Sequence, residues 1–98
     1  MEKHPDIIAA IRYYTNKEAG RSIPTLLDTF RCPLSFEGKL FDCVIDLGKN
    51  GPLTPGEKAT VPITFVRPDL IKARLKVGSR FTLWGLGTIG EGTVEQIL

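Results

Sequence analysis

Apolar residues recur at every second position through much of this chain, with glycine and proline between the runs. That alternation predicts strands. The clearest run is 40–47, where Phe41, Cys43, Ile45 and Leu47 form one row while Asp42 and Asp46 point the other way. In 59–66, Ala59, Val61, Ile63 and Phe65 alternate with Thr60, Pro62, Thr64 and Val66. Pro62 has no N–H to give a ladder, so this strand needs an edge or a bulge there. In 80–98, Phe81 and Leu83 alternate with Thr82 and Trp84. Gly85, Gly87, Gly90 and Gly92 then punctuate a tight return, and 94–98 is expected as a final apolar strand. This stretch reads as the closing hairpin of a small barrel.

The remaining segments fill in around these. Residues 6–15 are rich in β-branched and aromatic side chains and predict the first strand, with an amphipathic helix over 5–14 as the competing reading. Both of its faces carry apolar groups: Ile7, Ala9, Ile11 and Tyr13 on one, Ile8, Ala10 and Tyr14 on the other. One face is therefore core, and the other is available to a loop or a partner. Residues 16–24 are an exposed connection, 23–30 have no clear pattern, and 30–36 read as a short strand followed by a polar turn at Glu37-Gly38-Lys39. Residues 48–58 are a long turn region in which Pro55-Gly56 suits a type II turn. Residues 67–78 have room for one helical turn. Short strands so punctuated give an all-β barrel or sandwich. The hairpin favours a small closed antiparallel barrel of about six strands over 6–98, behind a flexible N-terminus at 1–5.

Composition narrows the function more than the fold. The 98 residues carry 13 basic and 11 acidic side chains, a net charge of +2 that is too mild to imply nucleic acid. No apolar run is long enough for a spanning helix. Residues 1–6 are charged and 7–11 too short for a signal-peptide core, so a cytoplasmic location is expected. The two cysteines, Cys32 and Cys43, have no metal-ligand spacing. Cys43 lies in the apolar row and is expected to be a buried thiol, whereas Cys32, before Pro33, is left free to face solvent. The sequence permits a disulfide between them, but a reducing compartment disfavours one.

Catalytic chemistry finds little support. The single histidine, His4, sits in the terminal segment and is not held by packing as a general base must be. Asp42 and Asp46 are four residues apart on one strand face, about 13 Å, which is too far for a shared acid–base pair. They read as solubility residues. No catalytic residue, cofactor or metal is assigned. The glycine cluster is followed by no helix that would present its N-terminus to a phosphate. No Gly-x-x-x-x-Gly-Lys-Ser/Thr loop occurs, which excludes GTP hydrolysis.

A pattern spread over the chain is more specific. Thr54-Pro55-Gly56-Glu57, the strand 60–65, Gly78-Ser79-Arg80-Phe81-Thr82-Leu83 and Thr88-Ile89-Gly90-Glu91-Gly92-Thr93-Val94 resemble the C-terminal β-barrel domain of translation elongation factor Tu. Ala10-Ile11-Arg12-Tyr13-Tyr14, Glu18-Ala19-Gly20-Arg21, Pro24 and the Phe30-Arg31-x-Pro33 stretch fall in the same order, so the resemblance runs over 7–98. It implies the barrel fold. In that family the domain is third of three, behind a GTPase domain and another barrel. It helps hold the T stem of aminoacyl-tRNA and touches the exchange factor. Arg21 matches a family arginine near the T-stem backbone, but Ser22 stands where the family has histidine. The hairpin tip Trp84-Gly85-Leu86-Gly87-Thr88 is one residue shorter than the family's and carries neither of its arginines.

Two binding readings follow. The favoured one is a non-enzymatic protein-binding module, for example an immunity or antitoxin protein that neutralises a toxin, or a binder of another translation-related protein. Its expected contact residues are Arg21, Trp84 and Leu86, since tryptophan suits an interface. The alternative is a tRNA- or RNA-binding domain using Arg21 with Arg67, Lys72, Arg74, Lys76 and Arg80. The last five are five of the thirteen basic residues, within fourteen positions.

Overall fold

The computed structural model describes residues 4–98; the expected flexible segment at 1–5 lies outside the described residues for 1–3. Six strands run β1 (Ile7–Tyr13), β2 (Thr29–Phe36), β3 (Lys39–Asp46), β4 (Lys58–Phe65), β5 (Arg80–Trp84) and β6 (Thr88–Ile97). They close in the spatial order β1-β4-β3-β2-β5-β6, with β6 returning to β1, and every pairing is antiparallel. The all-β closed barrel expected from the alternation is the architecture found.

The inward row of each strand supplies the core. Ile7, Ala9, Ile11 and Tyr13 of β1 are buried, as are Val61, Ile63 and Phe65 of β4 and Phe81 and Leu83 of β5. Cys43, Ile45 and Leu47 are buried in phase, with Asp42 and Asp46 outside. Cys32, which the sequence left free to face solvent, is buried as well. In β2 it shares the inward parity of Leu34, and strand parity outweighs the proline beside it.

Pro62 sits where its missing donor costs nothing. Asn50 Nδ2 donates to the Thr60 carbonyl at 3.0 Å, and Val66 N donates to the Asp42 carbonyl at 3.0 Å, so even-numbered backbone groups of β4 face β3. The β3–β4 ladder ends at Ile45↔Ile63, short of Pro62. Within a closed barrel, this is a local edge.

The hairpin at the C-terminal end differs from the one the sequence predicts. Gly90 and Gly92 lie inside β6, not in the return, and the turn is confined to residues 85–87. A Cβ at Gly92 would lie 3.0 Å from the Ala10 carbonyl oxygen and would overlap the Phe81 ring. Gly92 is the slot into which Phe81 packs. Of the expected apolar end strand only Val94 is buried; residues 95–98 are exposed.

Short helical pieces mark opposite ends of the barrel. Beyond β1, α1 (Asn16–Ala19) is one turn, absent from the expected connection. Beyond β4, 3-10 turns at Pro68–Leu70 and Lys72–Arg74 replace the single helical turn expected there. Between β3 and β4, Gly56 takes the positive φ of 93° that the Pro55–Gly56 turn requires. The unpatterned stretch 23–30 is tied down by a bridge between Leu26 and Leu53 and by the Tyr13 hydroxyl, which donates to the Pro24 carbonyl at 2.7 Å. Burial raises the pKa of that hydroxyl.

Candidate functional site

The end of the barrel beyond β1 is assembled around α1. Thr15 caps the turn: its hydroxyl accepts from Glu18 N at 3.1 Å, and Glu18 Oε1 accepts from Thr15 N at 3.0 Å. This reciprocal box satisfies two backbone donors that a one-turn helix would otherwise leave open. Glu18 also pairs with Arg12 at 2.7 Å, and Arg12 reaches Glu91 of β6 at 3.0 Å. Arg12 lies 5.1 Å over the Tyr14 ring. One guanidinium therefore binds α1, β1 and β6 together. Hydrogen bonds from Arg12 and from the Thr15 backbone pull the Glu18 carboxyl down to about 2, and the two carboxylates raise Arg12.

With α1 fixed, its exit is fixed. Gly20 closes the turn in the left-handed region, and Arg21 N donates to the Asn16 carbonyl at 3.1 Å. The Asn16 side chain in turn accepts from Ile23 N at 3.0 Å. From this anchored position, Arg21 Nη2 donates to the carbonyl of Gly85 in the β5–β6 turn. Arg21, Trp84 and Leu86, taken from distant parts of the sequence, are thus brought to one tip.

The tip itself is tight and projecting. Gly85 N donates to the Gly87 carbonyl at 2.7 Å, and the register shifts between Leu83 and Trp84. Leu86 adopts a φ of +55°, a conformation leucine rarely takes, and is 88% exposed; Trp84 is 42% exposed. An exposed leucine normally needs no explanation, but one that is also held in the left-handed region has no packing gain to offset its strain. No acidic residue occurs between Arg80 and Gly90.

The alternative set is divided. Arg67, Lys72 and Arg74 lie on the 3-10 turns beyond β4 or just before them, at the end where β1 begins, while Arg21 is at the other end. Three of the five basic residues have acidic partners: Arg67 with Asp69 at 2.9 Å, Lys72 with Asp6 at 3.5 Å and Arg74 with Glu37 at 3.9 Å. Lys76 and Arg80 have no ion pair among the described residues. The stripe is thus partly paired within the fold, with two of its five cations left without an acidic partner among the described residues.

No sequence pattern marks Asp6. It is buried, and its carboxylate accepts from Phe65 N at 2.8 Å while its backbone bonds Ile63 and Leu98. It latches the starts and ends of three strands. The capping box of α1, by contrast, had a readable signal in Thr15-x-x-Glu18.

The candidates for chemistry do not converge. Asp42 and Asp46 line separate shallow grooves on the outside of the barrel, and Cys32 faces the interior. His4 is exposed. Among the described residues, no group of three or more His, Cys, Asp or Glu side chains could hold a metal ion, and no helix is long and apolar enough to cross a membrane. An open groove of 620 Å³ runs across β4, β1 and β6, lined by Ala10, Arg12, Lys58, Ala59, Glu91 and Gly92 among others. No protein-family model matches the chain, and no curated protein matches it.

Proposed function

We propose that this chain is a non-enzymatic protein-binding module of the cytoplasm that engages its partner through the tip formed by Arg21, Trp84 and Leu86. The observation that carries the reading is the Arg21–Gly85 hydrogen bond. It fixes a turn in which Leu86 is held outward in a strained conformation with no intramolecular packing to show for it. Pre-ordered apolar side chains bind without the entropy cost of ordering them at the moment of docking. A tryptophan beside them is a common anchor.

The resemblance to the C-terminal domain of elongation factor Tu, with a hairpin tip that is one residue shorter, lacks the family's two arginines and carries Trp84 and Leu86, suggests the kind of partner. The module takes the shape of a translation-factor surface and presents different contacts on it. An immunity or antitoxin protein that blocks a toxin acting on tRNA or on the translation apparatus is the concrete form. The alternative, a tRNA- or RNA-binding accessory domain, draws less support from the ion pairs at Arg67, Lys72 and Arg74, because phosphate recognition needs cations that are not already neutralised.

The two readings separate by salt. Titration of the chain with tRNA at low ionic strength is expected to show no saturable binding. Binding that weakens steeply with added salt and is lost in Arg67→Ala/Arg74→Ala would replace the protein-binding reading with the RNA one.

A further inference from the structure

Cys32 on β2 and Cys43 on β3 stand directly opposite each other. The two-residue turn at Glu37 and Gly38 makes Phe36 and Lys39 a hydrogen-bonded pair, and counting back by twos makes Cys32 and Cys43 one too. Such pairs hold their Cα atoms about 5.5 Å apart, inside the Cα span of a disulfide, with the Cβ atoms about 4.5–5.5 Å apart, so closure draws the two strands slightly together. Both side chains point into the barrel, and the Cys43 thiol donates to the Cys32 carbonyl at 3.3 Å. Both thiols are free.

The pair is not symmetric. Cys43 is fully enclosed, whereas Cys32 keeps 7% of its surface in solvent. The β2–β5 ladder consists of Leu34↔Leu83 and Ser35↔Thr82, so Cys32 lies just past the end of that seam in the barrel wall.

We propose that Cys32 and Cys43 are a redox pair that closes as an intramolecular cross-strand disulfide on reaction with a peroxide. The Cys32 thiolate attacks the peroxide; an S–O bond forms, the O–O bond breaks, and the released oxygen leaves as water or alcohol. The Cys43 sulfur then attacks the Cys32 sulfenic acid. The S–S bond forms, the S–O bond breaks, and the Cys43 proton leaves with the hydroxyl as water. Two thiols are oxidised and one peroxide is reduced. Cys32 is the attacking sulfur because it alone of the two keeps contact with solvent, while the contact with Cys32 and burial raise the pKa of Cys43. This inference does not depend on the docking tip.

The test is hydrogen peroxide treatment of the native full chain, followed by thiol titration in denaturant, intact mass and non-reducing peptide mapping. The expected result is loss of both thiols, a mass lower by about two units, a Cys32–Cys43 cross-linked peptide in a monomer, and full reversal by dithiothreitol. In Cys43→Ser, dimedone is expected to trap a sulfenic acid at Cys32; in Cys32→Ser, Cys43 stays a thiol. Thiols that remain unreacted, that react only after unfolding, or that end as sulfinic acid or intermolecular dimers would overturn the proposal. The wild-type result decides even where a variant fails to fold.

Discussion

Arg21 and Gly85 are 64 residues apart in sequence, and the guanidinium of the first donates to the carbonyl of the second. This contact joins the exit of α1 to the β5–β6 turn. It makes the tip a property of the fold and not of the hairpin alone. In Arg21→Ala, amide exchange at residues 85–87 is expected to accelerate while the strands stay protected, with a global stability change within about 0.5 kcal/mol. Unchanged exchange at the turn would show that Arg21 does not order it.

Asp6 is expected to be the most sensitive polar residue of the opposite end. Asp6→Ala leaves the buried Phe65 N–H without its acceptor and is expected to cost about 1–3 kcal/mol in urea unfolding. Asp6→Asn keeps an oxygen in place and is expected to cost less. Equal losses in both variants would assign the effect to the charge contact with Lys72 at 3.5 Å instead of the hydrogen bond.

Gly92→Ala is expected to destabilise the barrel by about 1–3 kcal/mol, because the added methyl meets the Phe81 ring and the Ala10 carbonyl. Gly87→Ala meets no atom but forces alanine to a φ of +115°. The two variants therefore separate close approach from backbone strain. A neutral Gly92→Ala would mean that Phe81 has another place to go.

How far these features were legible depends on their range. Period-two rows located β3, β4 and β5 because each inward residue is decided by strand parity alone. The same parity places Cys32 inside, and the neighbouring proline concealed it. The glycines at 90 and 92 read as a turn because sequence spacing does not reveal that Phe81 needs room on the adjacent strand. Asp6 gave no local signal at all, since its partners are Phe65 and Lys72. Arg21, Trp84 and Leu86 were grouped through a resemblance, and the hydrogen bond that unites them spans most of the chain.

Glu18 sets an acid-range dependence. Its carboxyl, ordinarily near 4.5, is held at about 2 by the hydrogen bonds from Arg12 and the Thr15 backbone. A depressed folded-state value contributes stability that is present above the ordinary value and is lost as pH falls from near 4.5 through about 2. Glu18→Gln is expected to be less stable than the parent at neutral pH, and the gap between them to close across that window. A gap that stays constant down to pH 2 would show that the pairing is not linked to folding.

The most direct measurement concerns Leu86. Asparagine accepts the left-handed region that leucine resists, so Leu86→Asn is expected to fold with stability unchanged or raised by up to about 1 kcal/mol. Affinity capture from native lysate with the parent chain, Leu86→Asn and Trp84→Ala, reading both protein and RNA, then tests the tip. The account predicts a protein retained by the parent and lost from Leu86→Asn despite its intact fold. Equal retention by both chains, or retention of RNA without protein, would contradict it.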